Sequence, residues 1–237
     1  ITVGLTAWPN DNAYTPAVNA DGRYVAFDSL ATNLVPNDGN GVADIFLRST
    51  QGIWNNRLSV DSNSVEATGV SHAPAISGDG RYVVFESDAA NLVIGDGNGV
   101  TDIFLRDVQA AQTTRISVDA LGNSGDGRSS AAAISGDGRY VVFLSAATNL
   151  VSGDSNGLAD IFLRDTKSSQ TTRLSVSTAG VEGNGLSGAP AISGNGRYVV
   201  FASASSNLVS GDSNGVADIF LRDTLTGQTT LVSLSST

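Results

Sequence analysis

The sequence predicts an all-β protein: a β-propeller of four four-stranded blades, with one extra strand at the N-terminus. Three observations predict it. The chain repeats every 58 residues, each repeat holds four short apolar or β-branched runs parted by Gly, Asp and Asn, and no stretch keeps a 3.6-residue apolar period. The repeat is plain in DGRYVAF at Asp21, DGRYVVF at Asp79 and Asp137, and NGRYVVF at Asn195. ADIFLR ends at Arg48 and recurs in phase, once as TDIFLR, ending at Arg106, Arg164 and Arg222. All eight Phe and eleven of the twelve Arg fall on repeat positions, Arg128 being the exception. Duplication explains such phasing and chance does not.

The elements follow in order within the second copy. A short strand of small residues, Ala73 to Ser77, leads to a GDG turn, because Gly beside Asp permits the positive φ of a tight hairpin. The second strand, Arg81 to Ser87, is rich in β-branched and aromatic residues. An Asp/Asn/Gly loop precedes the third strand, Asp102 to Asp107, and a short connection leads to the fourth, Thr113 to Val118. The repeats run over about 14–71, 72–129, 130–187 and 188–237 of a single domain, with 1–13 in front. Repeated four-stranded units are the mark of propeller blades. The first strands are Ala-rich (Pro74-Ala75-Ile76, Ala132-Ala133-Ile134), which suits the crowded axis of a closed four-bladed ring; two chains assembling into a larger ring is the other arrangement.

AISGDGRYVVF, then NLV, GDxNGxxDIFLRD and TTRLSV, resembles the TolB-type, WD-like propeller repeats of bacterial extracytoplasmic proteins, over nearly the whole chain. The resemblance implies a non-catalytic propeller used for binding or scaffolding, and names no ligand.

Composition narrows the partners. The formal charge is −10, and 20 of the 23 acidic residues are Asp. A surface this acidic repels phosphate backbones, so nucleic acid is excluded as an expected partner and cations are favoured. There is no Cys, hence no disulfide and no thiolate chemistry. No apolar run approaches a membrane-spanning length, so no membrane insertion is expected. A chain that starts at Ile1 and has no Met reads as processed or cut. A secreted, extracellular location, or a bacterial periplasm or cell surface, is therefore expected.

The most chemically loaded segment precedes the third strand: Asp38, Asn40 and Asp44, then Asp96, Asn98 and Asp102, Asp154, Asn156 and Asp160, and Asp212, Asn214 and Asp218. Calcium takes six to eight hard oxygens, and alternate residues in a tight loop aim side chains at one point. D-x-N-G-x-x-D provides this, with a backbone carbonyl from the residue after Gly, and up to four Ca²⁺ are expected. Magnesium, which keeps its waters and demands octahedral geometry, fits less well. The loop resembles the calcium loop of integrin-type blades without its first acid, whose places are Pro36, Ile94, Ser152 and Ser210, and fewer charges weaken a site. The metal-free alternative is an Asx-turn network that holds each loop by its own hydrogen bonds. Asn33, Asn91, Asn149 and Asn207, present in every copy, read as loop caps, and Arg23, Arg81, Arg139 and Arg197 as partners of a blade Asp.

No enzyme is expected. A Ser-His-Asp arrangement would have to use His72, the single His, and no G-x-S-x-G elbow accompanies it. Glu66, Glu86 and Glu182 have no partner at a recognisable spacing. What the repeat leaves over is the strand Ile1 to Thr6, which competes with Thr230 to Leu234 for one role. Either it closes the ring beside the last blade, or one end pairs with a neighbouring chain, giving a homo-oligomer, filament or surface layer. Trp8, Tyr14 and Trp54 lie near it as a cap or an anchor. A structural, self-assembling module leads; a glycan-binding propeller and a protein-binding module of a surface complex are the alternatives.

Overall fold

The computed structural model describes residues 8–52 and 54–235; the expected strand Ile1 to Thr6 lies outside them. Among the described residues sixteen strands form four sheets. The first blade is β1 (Ala13–Val18), β2 (Tyr24–Ser29), β3 (Asp44–Ser49) and β4 (Asn55–Arg57). The second is β5 (Ser71–Ile76), β6 (Tyr82–Ser87), β7 (Asp102–Asp107) and β8 (Gln112–Arg115). The third is β9 (Ser129–Ile134), β10 (Tyr140–Ser145), β11 (Asp160–Asp165) and β12 (Gln170–Arg173). The fourth is β13 (Ser187–Ile192), β14 (Tyr198–Ser203), β15 (Asp218–Asp223) and β16 (Gln228–Leu231). Each sheet is an antiparallel meander with its strands in chain order.

The register follows from the side chains. Phe85 stands opposite Phe104, their rings 5.9 Å apart, and the other three blades repeat the pair. The Tyr-Val-Val-Phe run is apolar without alternation because each middle blade is covered on both faces. The hairpin before it turns on Gly80, whose φ of 77° a side chain would resist. Asp79 holds that turn by accepting the Ser77 hydroxyl and the Arg81 N–H. The innermost strand carries a bulge at Ala73, Ala131 and Ala189, all with φ near +50°.

Three hydrophobic cores lie between blades. Ala26, Ile45, Leu47 and Leu58 of the first blade meet Val83, Phe85 and Phe104 of the second. Val84, Ile103, Leu105 and Ile116 then meet Val141, Phe143 and Phe162, and Val142, Ile161, Leu163 and Leu174 meet Val199, Phe201 and Phe220. A closed four-bladed ring needs a fourth core, and among the described residues none joins the last blade to the first. The hairpin tips agree: Ala20 N–H donates to Gly78 O, Gly78 to Gly136 O and Gly136 to Gly194 O, where the series stops. The described chain is an open arc. Small Ala side chains let the inner strands approach, but they do not dictate that the ends meet.

β16 takes the fourth-strand place of the last blade, with Leu221 opposite Thr230. Of the segment before β1, the described residues Trp8 to Asn12 lie along the first blade, where Asn33 donates to Trp8 O and Leu30 N–H to Asn12 O. Trp54 packs on Tyr24 at 6.1 Å, while Trp8 is exposed.

Candidate metal centre

Each D-x-N-G-x-x-D loop folds as a hydrogen-bonded unit. The Asn carbonyl accepts the N–H two residues on, at 3.1 Å for Asn40, 3.2 Å for Asn98, 2.7 Å for Asn156 and 3.0 Å for Asn214. This is the Asx turn. The Asn amide donates to the closing carboxylate, 2.8 Å from Asn40 to Asp44 and from Asn98 to Asp102, 3.0 Å from Asn156 to Asp160 and 2.7 Å from Asn214 to Asp218. In the first three loops it also donates to a backbone carbonyl: Ala67, Gly125 and Gly183. The second oxygen of each closing Asp accepts a Ser hydroxyl from beyond the fourth strand: Ser59, Ser117, Ser175 or Ser233. Those Ser oxygens accept in turn the N–H of Ile45, Ile103, Ile161 and Ile219.

An arginine that the loop spacing does not reveal completes three of the four loops. Arg57 Nη1 lies 3.2 Å from Asp38, 3.6 Å from Asp44 and 2.7 Å from Glu66. Arg115 Nη1 lies 2.8 Å from Asp96 and 3.4 Å from Asp102. Arg173 Nη1 lies 3.2 Å from Asp154 and 3.4 Å from Asp160, and pairs with Glu182. These guanidinium groups stand among the carboxylates, where a cation was expected, and the three side chains are only 7–11% exposed. The fourth loop differs, because Leu231 holds the equivalent position, and among the described residues no guanidinium pairs with Asp212 or Asp218.

Burial dominates the electrostatics. It pushes the carboxyls of Asp38, Asp44, Asp96 and Asp160 up, against the pull of the nearby arginine. It pushes Asp154 furthest, to about 6, helped by the charges of Asp160 and Glu182. For Glu182 burial works in the same sense, but the Ser155 N–H and hydroxyl and the Arg173 charge prevail and hold it at about 2. Hydrogen bonds from Ser233 and Asn214 lower the Asp218 carboxyl. Asp154, Asp160 and Glu182 place carboxylate oxygens within 4.8 Å of one another, and neither oxygen of Asp154 accepts a hydrogen bond.

The other expected residues have structural partners. Asn33, Asn91, Asn149 and Asn207 each donate to a backbone carbonyl of the preceding linker, at 2.8 Å. Arg81, Arg139 and Arg197 pair with Asp107, Asp165 and Asp223 at 2.7 Å and cover the following Tyr ring. Arg23 pairs with Asp21, because Ser49 replaces the blade Asp. His72 stands 3.8 Å from Glu86, whose carboxylate accepts the Ala131 N–H. Three grooves of about 520, 590 and 300 Å³ recur at the blade junctions beside Asn91, Asn207 and Asn149, and no aromatic ring lines them.

Sequence reasoning missed Arg57, Arg115, Arg173, Glu66 and Glu182. The arginines fall in phase in NNR and TTR, and the two Glu are two repeats apart, so the signal was present. What it lacked was the pairing of the fourth strand with the third, which carries Arg115 beside a loop whose closing Asp lies 13 residues earlier.

Four antiparallel meanders packed side by side about an axis define a β-propeller architecture. No protein-family model and no curated protein matches the sequence. Solved structures match the fold. TolB from Acinetobacter baumannii is 20% identical with a TM-score of 0.55, covering 96% of this chain and 45% of its own. A putative TolB from Agrobacterium tumefaciens is 19% identical at 0.56, covering 95% of this chain and 66% of its own. The β-propeller domain of the Trilobed protease from Pyrococcus furiosus, described as having an open velcro topology, is 13% identical at 0.57, covering 97% and 59%. The chain therefore has the TolB-type β-propeller fold, and it spans about half to two thirds of the length of these structures.

Proposed function

We propose that this chain is a non-catalytic, extracytoplasmic structural module that works by assembly, its end blades receiving further blades. The observation that carries this is the open arc: among the described residues four blades share three inter-blade cores, and Val18 on the first blade and Ile219 and Val232 on the last are exposed where their counterparts in the middle blades are covered. A non-catalytic role is supported by the use of the titratable groups within blades and loops, and by His72, to which no Ser hydroxyl is hydrogen-bonded among the described residues. The propeller of a protease shares the fold, so the fold by itself is neutral on catalysis. An extracytoplasmic location rests on the sequence resemblance to TolB-type repeats.

The test is to fuse a second copy of residues 180–237 in phase after Thr237. In stacked repeats each interface adds stability to its neighbours, so melting should rise by several degrees. An unchanged melting temperature would refute the reading.

Calcium is a second reading, favoured by one arrangement. Asp154, Asp160 and Glu182 converge, and Asp154 is buried without a hydrogen bond, so these residues and Asn156 would hold the ion. Arg173 occupies the same space, and a bound cation would compete with it. The Asp38 and Asp96 loops carry the same competitor in Arg57 and Arg115, while the Asp212 loop has none among the described residues. Higher melting in calcium than in chelator supports the ion, and equal melting removes it.

A further inference from the structure

Every internal junction uses the same lock. Tyr24 of the first blade lies over Gly80 of the second, Tyr82 over Gly138, and Tyr140 over Gly196. The fit is tight: a Cβ built on these glycines would stand 2.5, 2.1 and 2.3 Å from the Tyr Cδ2. Beside the lock, the isoleucine that opens the third strand is sealed by the next blade. Ile45, Ile103 and Ile161 are 0% exposed.

The two ends of the arc carry the unmatched halves of this lock. On the last blade Tyr198 covers no described glycine, Ile219 is 42% exposed, and Val232 is 52% exposed where Leu58, Ile116 and Leu174 are at most 3%. On the first blade Gly22 has a similar φ, +72°, and no described residue lies within 4 Å of the position its Cβ would take. Val18, in register with the partly buried Ile76, Ile134 and Ile192, is 62% exposed. The hairpin-tip series ends the same way, with Gly194 at one side and Ala20 at the other.

We infer that these faces are complementary, and that the last blade of one chain packs on the first blade of a second copy as each internal blade packs on the next, with Tyr198 seated over the partner copy's Gly22. The inference rests on the assembly reading above and commits it to one occupant. The support is continuity: the same side chains, at the same repeat positions, already form three junctions within the chain. The contact joins two different faces, so it is head-to-tail and builds a ring if the rotation closes or a filament if it does not.

Two variants block opposite ends. Gly22→Leu fills space that no described residue of the single chain occupies and that Tyr198 of a second copy would need. Ile219→Asp places a charge on the opposite face at a position already exposed. Wild-type chain in sedimentation velocity should associate with rising concentration. Each variant by itself should sediment as a monomer with near-wild-type circular dichroism. An equimolar mixture keeps one good face of each kind and should give the mass of two chains and nothing larger. A wild-type monomer at every concentration overturns the second-copy inference, as does association that survives in either variant by itself. If the wild type is monomeric while the in-phase fusion of residues 180–237 still raises melting, the assembly reading stands and only the identity of the occupant fails.

Discussion

Replacing Arg115 with Leu puts in the second loop the residue that the fourth loop already has at Leu231. Among the described residues Arg115 is the one cation paired with Asp96 and Asp102, and all three side chains are at most 7% exposed. Removing one partner of a buried ion pair typically costs about 3–5 kcal/mol, because the other charge stays desolvated. A second route caps that cost, since Asp96 can take up a proton. From an ordinary carboxyl value near 3.9, protonation at pH 7 costs about 4 kcal/mol, and at pH 5 about 1.5 kcal/mol. The loss should therefore be about 3–4 kcal/mol at pH 7 and shrink to about 1.5 kcal/mol at pH 5. For a chain of this size it corresponds to a fall of very roughly 6–16 °C in melting temperature at neutral pH. The assay is thermal unfolding by circular dichroism in chelator at both pH values. Adding Asp96→Asn should recover most of the loss. Wild-type-like melting of Arg115→Leu at pH 7, or a loss that does not shrink at pH 5, would refute the guanidinium as the internal cation of the loop.

Three further outcomes follow from the same geometry. The Asp154 carboxyl is raised in the folded chain to about 6, so ionising it opposes folding; the penalty is absent below about pH 4, grows between the two values and is complete above 6. Asp154→Asn should then stabilise the metal-free chain by about 2 kcal/mol at pH 7.5, and by nothing at pH 3.5, in urea titrations. Thr171 donates to Val118 O at 2.6 Å and accepts from Arg164, tying the third blade to the linker before it, so Thr171→Val should cost about 1–3 kcal/mol in equilibrium unfolding. Gly138→Ala meets both positive φ and the Tyr82 ring, whereas Gly22→Ala meets positive φ alone. The second should cost about 1–2 kcal/mol in denaturant unfolding of the monomer and the first clearly more, and equal losses would remove the Tyr–Gly lock.

Much of the fold was legible because its causes are local. GDG before RYVVF specifies a tight hairpin wherever it stands, and the in-phase Phe pairs mark which strands lie side by side. The loop was legible to the same depth: D-x-N-G-x-x-D folds on itself through an Asx turn, and Asp44, Asp102, Asp160 and Asp218 do converge with their Asn. Its cation was not legible, because Arg57, Arg115 and Arg173 reach the loop only through the pairing of the fourth strand with the third.

Periodicity and turn chemistry are short-range, so the sequence by itself determined the repeat, the strand positions, the hairpins and the acid loops. Tertiary structure decided whether the ends of the arc meet and which side chain enters each loop. Ring closure depends on small rotations summed over successive blades, and no spacing along the chain encodes such a sum. The partners of Asp154 depend on an antiparallel neighbour and on a linker carrying Glu182, groups brought within a few ångströms by packing and not by sequence proximity.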